Sequence, residues 1–305
     1  MSHDHGDEPS FAKALVDKEE TMKKKESAWL EQQEITDRLN KQGAEEFFSP
    51  ENFPEINSIF VETKEKLCCI DEGVFNIEDK SRKMALAGSG ILFPANSWQE
   101  RLNRVAELCI NRGIKDITSH EGCGAAGLAW QNDGGETDTG FKSADEYGKK
   151  WSKELSHTIN QKLAEADKTN DVKYQHVNKS EMIRPPEFHD ARAIWFDLTS
   201  KFHPDAAKRL PKGFLIDYGI TRDEGKNEEE KGYSFTELKV AVGIAFGDHG
   251  FGNKFTTENK FIIVVISEDE SELANLKQEI ANKIKEDKNL KTHFDKIKID
   301  GFVKK

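Results

Sequence analysis

KLCCIDEG at residues 66–73, MALAGSG at 84–90 and IKDITSHEG at 114–122 decide the fold. Each is a short apolar run that ends in glycine, acid or histidine, the pattern of a buried strand emerging into a loop. A helix between the second and third can be read from its caps. Ser97 stands three residues before Glu100, Trp98, Leu102, Val105 and Cys109 share one side, and Gly113 supplies the stop. The order strand, strand, helix, strand puts chemically capable residues at strand ends. It predicts an α/β fold, a mostly parallel central sheet flanked by helices, with a site at the carboxyl edge.

Upstream, from Ser10 to about Gln42, the chain is rich in Glu, Lys, Gln and Ala, with no proline between Pro9 and Pro50. This predicts one or two helices. Phe11, Leu15, Trp29, Leu30, Ile35 and Leu39 are too thinly spaced to bury a full face, so residues 1–50 read as an N-terminal helical arm laid over the main domain or a partner subunit. Residues 51–305 then form a single α/β domain. Downstream, QNDGGETDTG (131–140) reads as a loop, and a helix follows over about 143–167. Strands are expected at 191–198 and 214–218, then an exposed loop or hairpin in TRDEGKNEEEKG (221–232), and a covering helix at 235–246. FIIVVI (261–266) is the strongest strand signal, since so pure a β-branched run suits a parallel sheet covered on both faces. A helix at 270–284 and a strand in KIKIDGFV (296–303) close the chain, and no internal repeat of fixed period is legible.

The acidic balance, 45 Lys and Arg against 56 Asp and Glu, argues against nucleic acid as a partner. A charged fraction of 33% and a mean hydropathy of -0.73 describe a well-solvated surface. No apolar run approaches the roughly 18 to 20 residues of a membrane span, and MSHDHGDEPS lacks the order of a secretory signal. A cytoplasmic location and no membrane partner are the expectations. Four cysteines are too few and too clustered for a disulfide framework, which favours reduced thiols and a metal.

Cys69, Asp71, His120 and Cys123 form the sharpest constellation. Two thiolates and an imidazole suit borderline-soft zinc and leave a fourth position open for an activated water. The plain alternative makes Cys69 a core thiol and Cys123 a helix-terminus residue. A third reading makes Cys123 a nucleophilic or redox thiol with His120 as its base. Gly122 and Gly124 would let a helix start against the metal loop, its N–H groups turned toward Cys123. Cys68 and Cys109 read as core residues. His249 reads as a surface residue, His189 and His203 flank a strand, and His3 with His5 would bind metal only loosely. MALAGSG lacks the lysine and hydroxyl order of a nucleotide loop.

CIDEG (69–73) followed by GIKDITSHEGCGAAG (113–127) resembles the beta class of carbonic anhydrases, which carry a Cys-x-Asp-x-Arg strand end and then His-x-x-Cys-Gly. The resemblance covers about residues 66–127, and Ala87 with Gly88 resembles the segment between the two motifs. It implies zinc held by Cys69, His120 and Cys123, with Asp71 as the catalytic residue orienting the zinc-bound water. The implied activity is reversible hydration of carbon dioxide to bicarbonate by a metal-bound hydroxide, in a homodimer or a multiple of dimers acting on a small molecule. Gly73 stands where the family has arginine, a guanidinium that would hold Asp71 off the metal. Arg82, Arg101 and Arg104 are the candidates to replace it. The departure keeps open a catalytically silent zinc-binding relative, and the zinc chemistry also suits carbon disulfide or carbonyl sulfide.

Overall fold

In a computed structural model, residues 11–74, 83–168, 171–204 and 209–305 are described. His3, His5 and Arg82 lie outside them, as do the side chains of Phe11 and Leu15. The chain opens with helices α1 (Phe11–Glu31), α2 (Gln33–Gln42) and α3 (Ala44–Phe47). It continues with β1 (Lys66–Cys68), β2 (Lys83–Ala85), α4 (Trp98–Arg112), β3 (Asp116–His120), α5 (Gly124–Asn132), α6 (Gly135–Thr139), α7 (Ala144–Glu165) and β4 (Lys173–Val177). A second series follows: β5 (Ala193–Asp197), β6 (Gly213–Ile216), α8 (Tyr218–Glu224), α9 (Glu228–Lys231), α10 (Tyr233–Phe246), β7 (Phe261–Ser267), α11 (Glu270–Glu286) and β8 (Ile297–Val303).

The fold is α/β and its strands pair in parallel, but they form two four-stranded sheets rather than one. Their orders are β2-β1-β3-β4 and β6-β5-β7-β8, so each half winds its strands in the same way. The repetition is invisible in the sequence because a parallel sheet constrains burial and handedness, not residue identity. β7 is buried along its whole length, as the FIIVVI run predicts. The two sheets meet near β2 and β6, where Leu215 N–H donates to the Ile70 carbonyl at 3.3 Å and Ala85 N–H donates to Asp217 Oδ2 at 2.6 Å.

Local sequence explains the helix that carries the first half. The Ser97 hydroxyl accepts the Glu100 N–H at 3.2 Å, and Gly113 closes α4 in the left-handed region at φ 69°. Glu100 turns back to the N–H of Asn96 rather than to that of Ser97.

Two stretches read as loops contain helix. Residues 135–139 form α6, and the acidic 221–232 stretch supplies most of α8 and all of α9. The charge run is not simply solvated: Glu230 is buried and accepts from Arg104 Nε at 2.9 Å. An ion pair made from 126 residues away in the chain has no local signature.

The N-terminal helices lie across the second half. Trp29 packs edge-on against Phe251 and Phe255, with centroids at 5.0 and 5.4 Å, while Val16, Met22 and Leu30 face outward. Gln32 Nε2 donates to the Asp190 carbonyl at 2.8 Å, and Ala44 N–H donates to Asp300 Oδ2 on β8 at 3.0 Å. Among the described residues, no helix is long and apolar enough to cross a membrane.

Candidate metal centre

Cys69 follows β1, His120 ends β3, and Cys123 is the residue immediately before α5. Because β1 and β3 are paired neighbours, their carboxyl ends bring these residues together. One ligand atom from each lies within 4.8 Å of the other two, and all three residues are buried. The Cys69 and Cys123 sulfurs are 3.9 Å apart. Two thiolates on a tetrahedral zinc with Zn–S bonds of about 2.3 Å stand about 3.8 Å apart. The His120 ring completes the set, since Nδ1 faces the Glu121 carbonyl at 3.2 Å. A proton on Nδ1 leaves the Nε2 lone pair free for a metal. The three residues therefore form a buried Cys-His-Cys cluster able to coordinate a metal ion.

Electrostatics agree with that chemistry. The hydrogen bond with the neighbouring Cys123 thiol, then burial, then repulsion between the two sulfurs push the Cys69 thiol well above the ordinary cysteine range. Burial alone would lower His120, but the Asp71 carboxylate and Cys69 outweigh it and raise the imidazole to about 9. Metal binding at such a site displaces protons. Gly88 N–H donates to Cys69 Sγ at 3.1 Å, a bond that stabilises a thiolate. No hydrogen bond from the first turn of α5 reaches the Cys123 side chain, so the helix-terminus donors expected there are replaced by this one on Cys69.

Asp71 is buried beside the cluster, with Oδ2 3.8 Å from His120 Nε2. Among the described residues, its guanidinium partner is neither Arg101 nor Arg104. Arg184, in the connection between the two sheets, donates through Nε to Oδ1 at 3.0 Å and through Nη2 to Oδ2 at 3.2 Å. Gly73 N–H adds a 2.7 Å bond to Oδ1. Arg101 instead donates to the Phe93 carbonyl at 3.0 Å, and Arg104 is committed to Glu230. Gly73 itself explains the exchange: a Cβ there would lie 2.4 Å from Arg184 Cγ, so the missing side chain is the space through which Arg184 enters. Burial opposes ionisation of Asp71, yet the charges of His189, His120 and Arg184 outweigh it and hold the carboxyl well below the usual range.

Sequence reading also missed His189. It is buried, with Nδ1 3.1 Å from both Glu72 oxygens and 3.8 Å from Asp71 Oδ2. Asp71, Glu72 and His189 thus make a second close group, whose carboxylates already face Arg184 and His189. The only sequence cue was the absence of the family's arginine, which asked for a cation without saying where it lay. Cys68 and Cys109 are buried away from the cluster's ligand set, and His249 is exposed. A cavity of about 900 Å³, lined by Phe48, Pro50, Leu273, Phe302 and Lys304 among others, shares no residue with the cluster.

Comparison of the chain with protein-family models, curated proteins and solved structures finds no match. The likeness to the beta carbonic anhydrases therefore rests on the residues themselves. The buried Cys69-His120-Cys123 cluster is consistent with a metal site of that type.

Proposed function

We propose that this protein binds zinc through Cys69, His120 and Cys123 and interconverts carbon dioxide and bicarbonate. The observation that carries the proposal is the pair of sulfurs 3.9 Å apart, beside the buried His120 ring. Zinc there would supply Lewis-acid activation of water near neutral pH. Asp71, buried beside the cluster, would serve as an ionised acceptor that orients a water by hydrogen bonding. Arg184 and the Gly73 N–H occupy the carboxylate's oxygens in a fixed geometry and oppose its collapse onto the metal. The pair that the family builds within one strand end is here assembled across the chain.

The reading is tested by zinc content and carbon dioxide hydration measured together in wild type, Cys123→Ser and Asp71→Asn. Near one zinc per chain with hydration activity is expected for wild type. Cys123→Ser should lose both, whereas Asp71→Asn should keep zinc and lose most of the activity. Zinc without hydration from neutral to alkaline pH would replace this reading with a silent zinc-binding protein. No zinc in wild type would overturn it.

A further inference from the structure

The turn after β2 is held from several directions. Gly88 and Ser89 both take left-handed conformations, at φ 56° and 57°, and a Cβ on Gly88 would lie 2.7 Å from Ile91 Cγ2. Ser89 Oγ donates to the Thr118 carbonyl at 2.5 Å, and Trp151 Nε1 donates to the Ser89 carbonyl at 3.0 Å. Those two clamps belong to the first half. The third comes from α10 in the second half, where Glu237 Oε1 accepts the Ala87 N–H at 2.6 Å. One turn earlier on that helix, the Tyr233 hydroxyl faces the Ala87 carbonyl at 3.5 Å.

Glu237 is fully buried, with the Ser234 and Tyr233 hydroxyls beside its carboxyl. A carboxyl in such a place is costly unless it does something that an apolar side chain cannot. What it does is fix the Leu86–Ala87 peptide, the one preceding the peptide whose Gly88 N–H points at Cys69 Sγ. We propose that Glu237 is a positioning residue for the metal cluster: by gripping the Ala87 N–H it aims the Gly88 N–H at the Cys69 sulfur, and so strengthens cation binding by the thiolates. The inference rests on the metal-binding reading above. It gives the second half, which lacks a comparable cluster among its described residues, a direct part in the chemistry of the first. Groups that orient a ligand from one shell further out commonly change metal affinity by about ten- to a hundredfold.

Cobalt(II) is the probe, because its thiolate charge-transfer absorption reports the sulfur environment independently of turnover. Wild type, Glu237→Gln, Glu237→Asp and Glu237→Leu are titrated with cobalt and then zinc, with circular dichroism and thermal midpoints of the metal-free proteins as folding controls. Glutamine can still accept the Ala87 N–H. The shorter aspartate cannot reach it, and it remains informative if the leucine variant does not fold. The expected result is a fall in affinity of about ten- to a hundredfold with a displaced thiolate band in Glu237→Asp and Glu237→Leu, and near-wild-type behaviour in Glu237→Gln. Folded Glu237→Asp with unchanged affinity and band overturns the proposal, as does a Glu237→Gln variant as weak as Glu237→Asp. A wild type without any thiolate band would instead sink the metal reading, and this inference with it.

Discussion

At the end of β3 the chain reads Ser-His-Glu-Gly-Cys (119–123) into α5, and at the end of β7 it reads Ile-Ser-Glu-Asp (266–269) into α11. Both are exits from corresponding strands of sheets wound in the same order. Asp269 does what a residue before a helix ordinarily does: its side chain accepts the Glu272 N–H at 2.8 Å. Cys123 caps nothing, and its sulfur turns to Cys69 instead. One half has spent this turn on stability and the other on a cluster that can take a metal.

The two halves are reciprocal where they meet. Segments that lead toward the first strand of each half send a cation to the carboxyl edge of the other. Arg184 and His189 reach Asp71 and Glu72, while Lys64 pairs with the buried Asp217, with Asp197 close enough to feel its charge. The second half thus shares the strand order and buried charges of the first without a described Cys-His cluster, so the architecture does not by itself require one.

The largest effect should come from cutting these crossed pairs. Arg184→Ala and Lys64→Ala each leave a buried carboxylate without its hydrogen-bonded cation, and should each cost about 3 to 5 kcal/mol in urea unfolding. A cost on one side only would break the reciprocity. Gly73→Ala should come next, at about 1 to 3 kcal/mol, since the new methyl group would overlap Arg184 Cγ in a packed interior. It should also depress hydration activity, which a double variant with Arg184→Ala would not depress further.

A pH series addresses the seam. Burial pushes the Glu237 carboxyl from 4.5 up to about 8. The folded protein therefore holds this proton more tightly than the unfolded chain, and stability should decline as pH rises from about 4.5 to 8. Glu237→Gln removes that contribution, so thermal midpoints of wild type and variant should draw apart toward pH 8. A constant separation would contradict it. The smallest effect bears on the helix exits themselves. In metal-free protein, Cys123→Ser should raise stability by up to about 1 kcal/mol, because serine caps a helix and cysteine does not. Loss of stability without metal would show that the thiol serves packing as well.

Bringing Cys69 to Cys123, 54 residues on, took the parallel pairing of β1 with β3. The sequence alone determined the strand ends and the tight turn from His120 to Cys123, short-range features written in hydrophobic runs, glycines and caps. For the same reason the α4 caps, β7 and the helical N-terminus are legible in the sequence. Tertiary structure alone decided the division of the strands into two sheets, the grip of Glu237 on Ala87 and the identity of the cation on Asp71. Arg184 lies 113 residues from Asp71, and its only trace in the sequence is a glycine whose absent side chain leaves it room. Pairings of this kind are set by which surfaces the folded chain buries against each other, and no local periodicity encodes them.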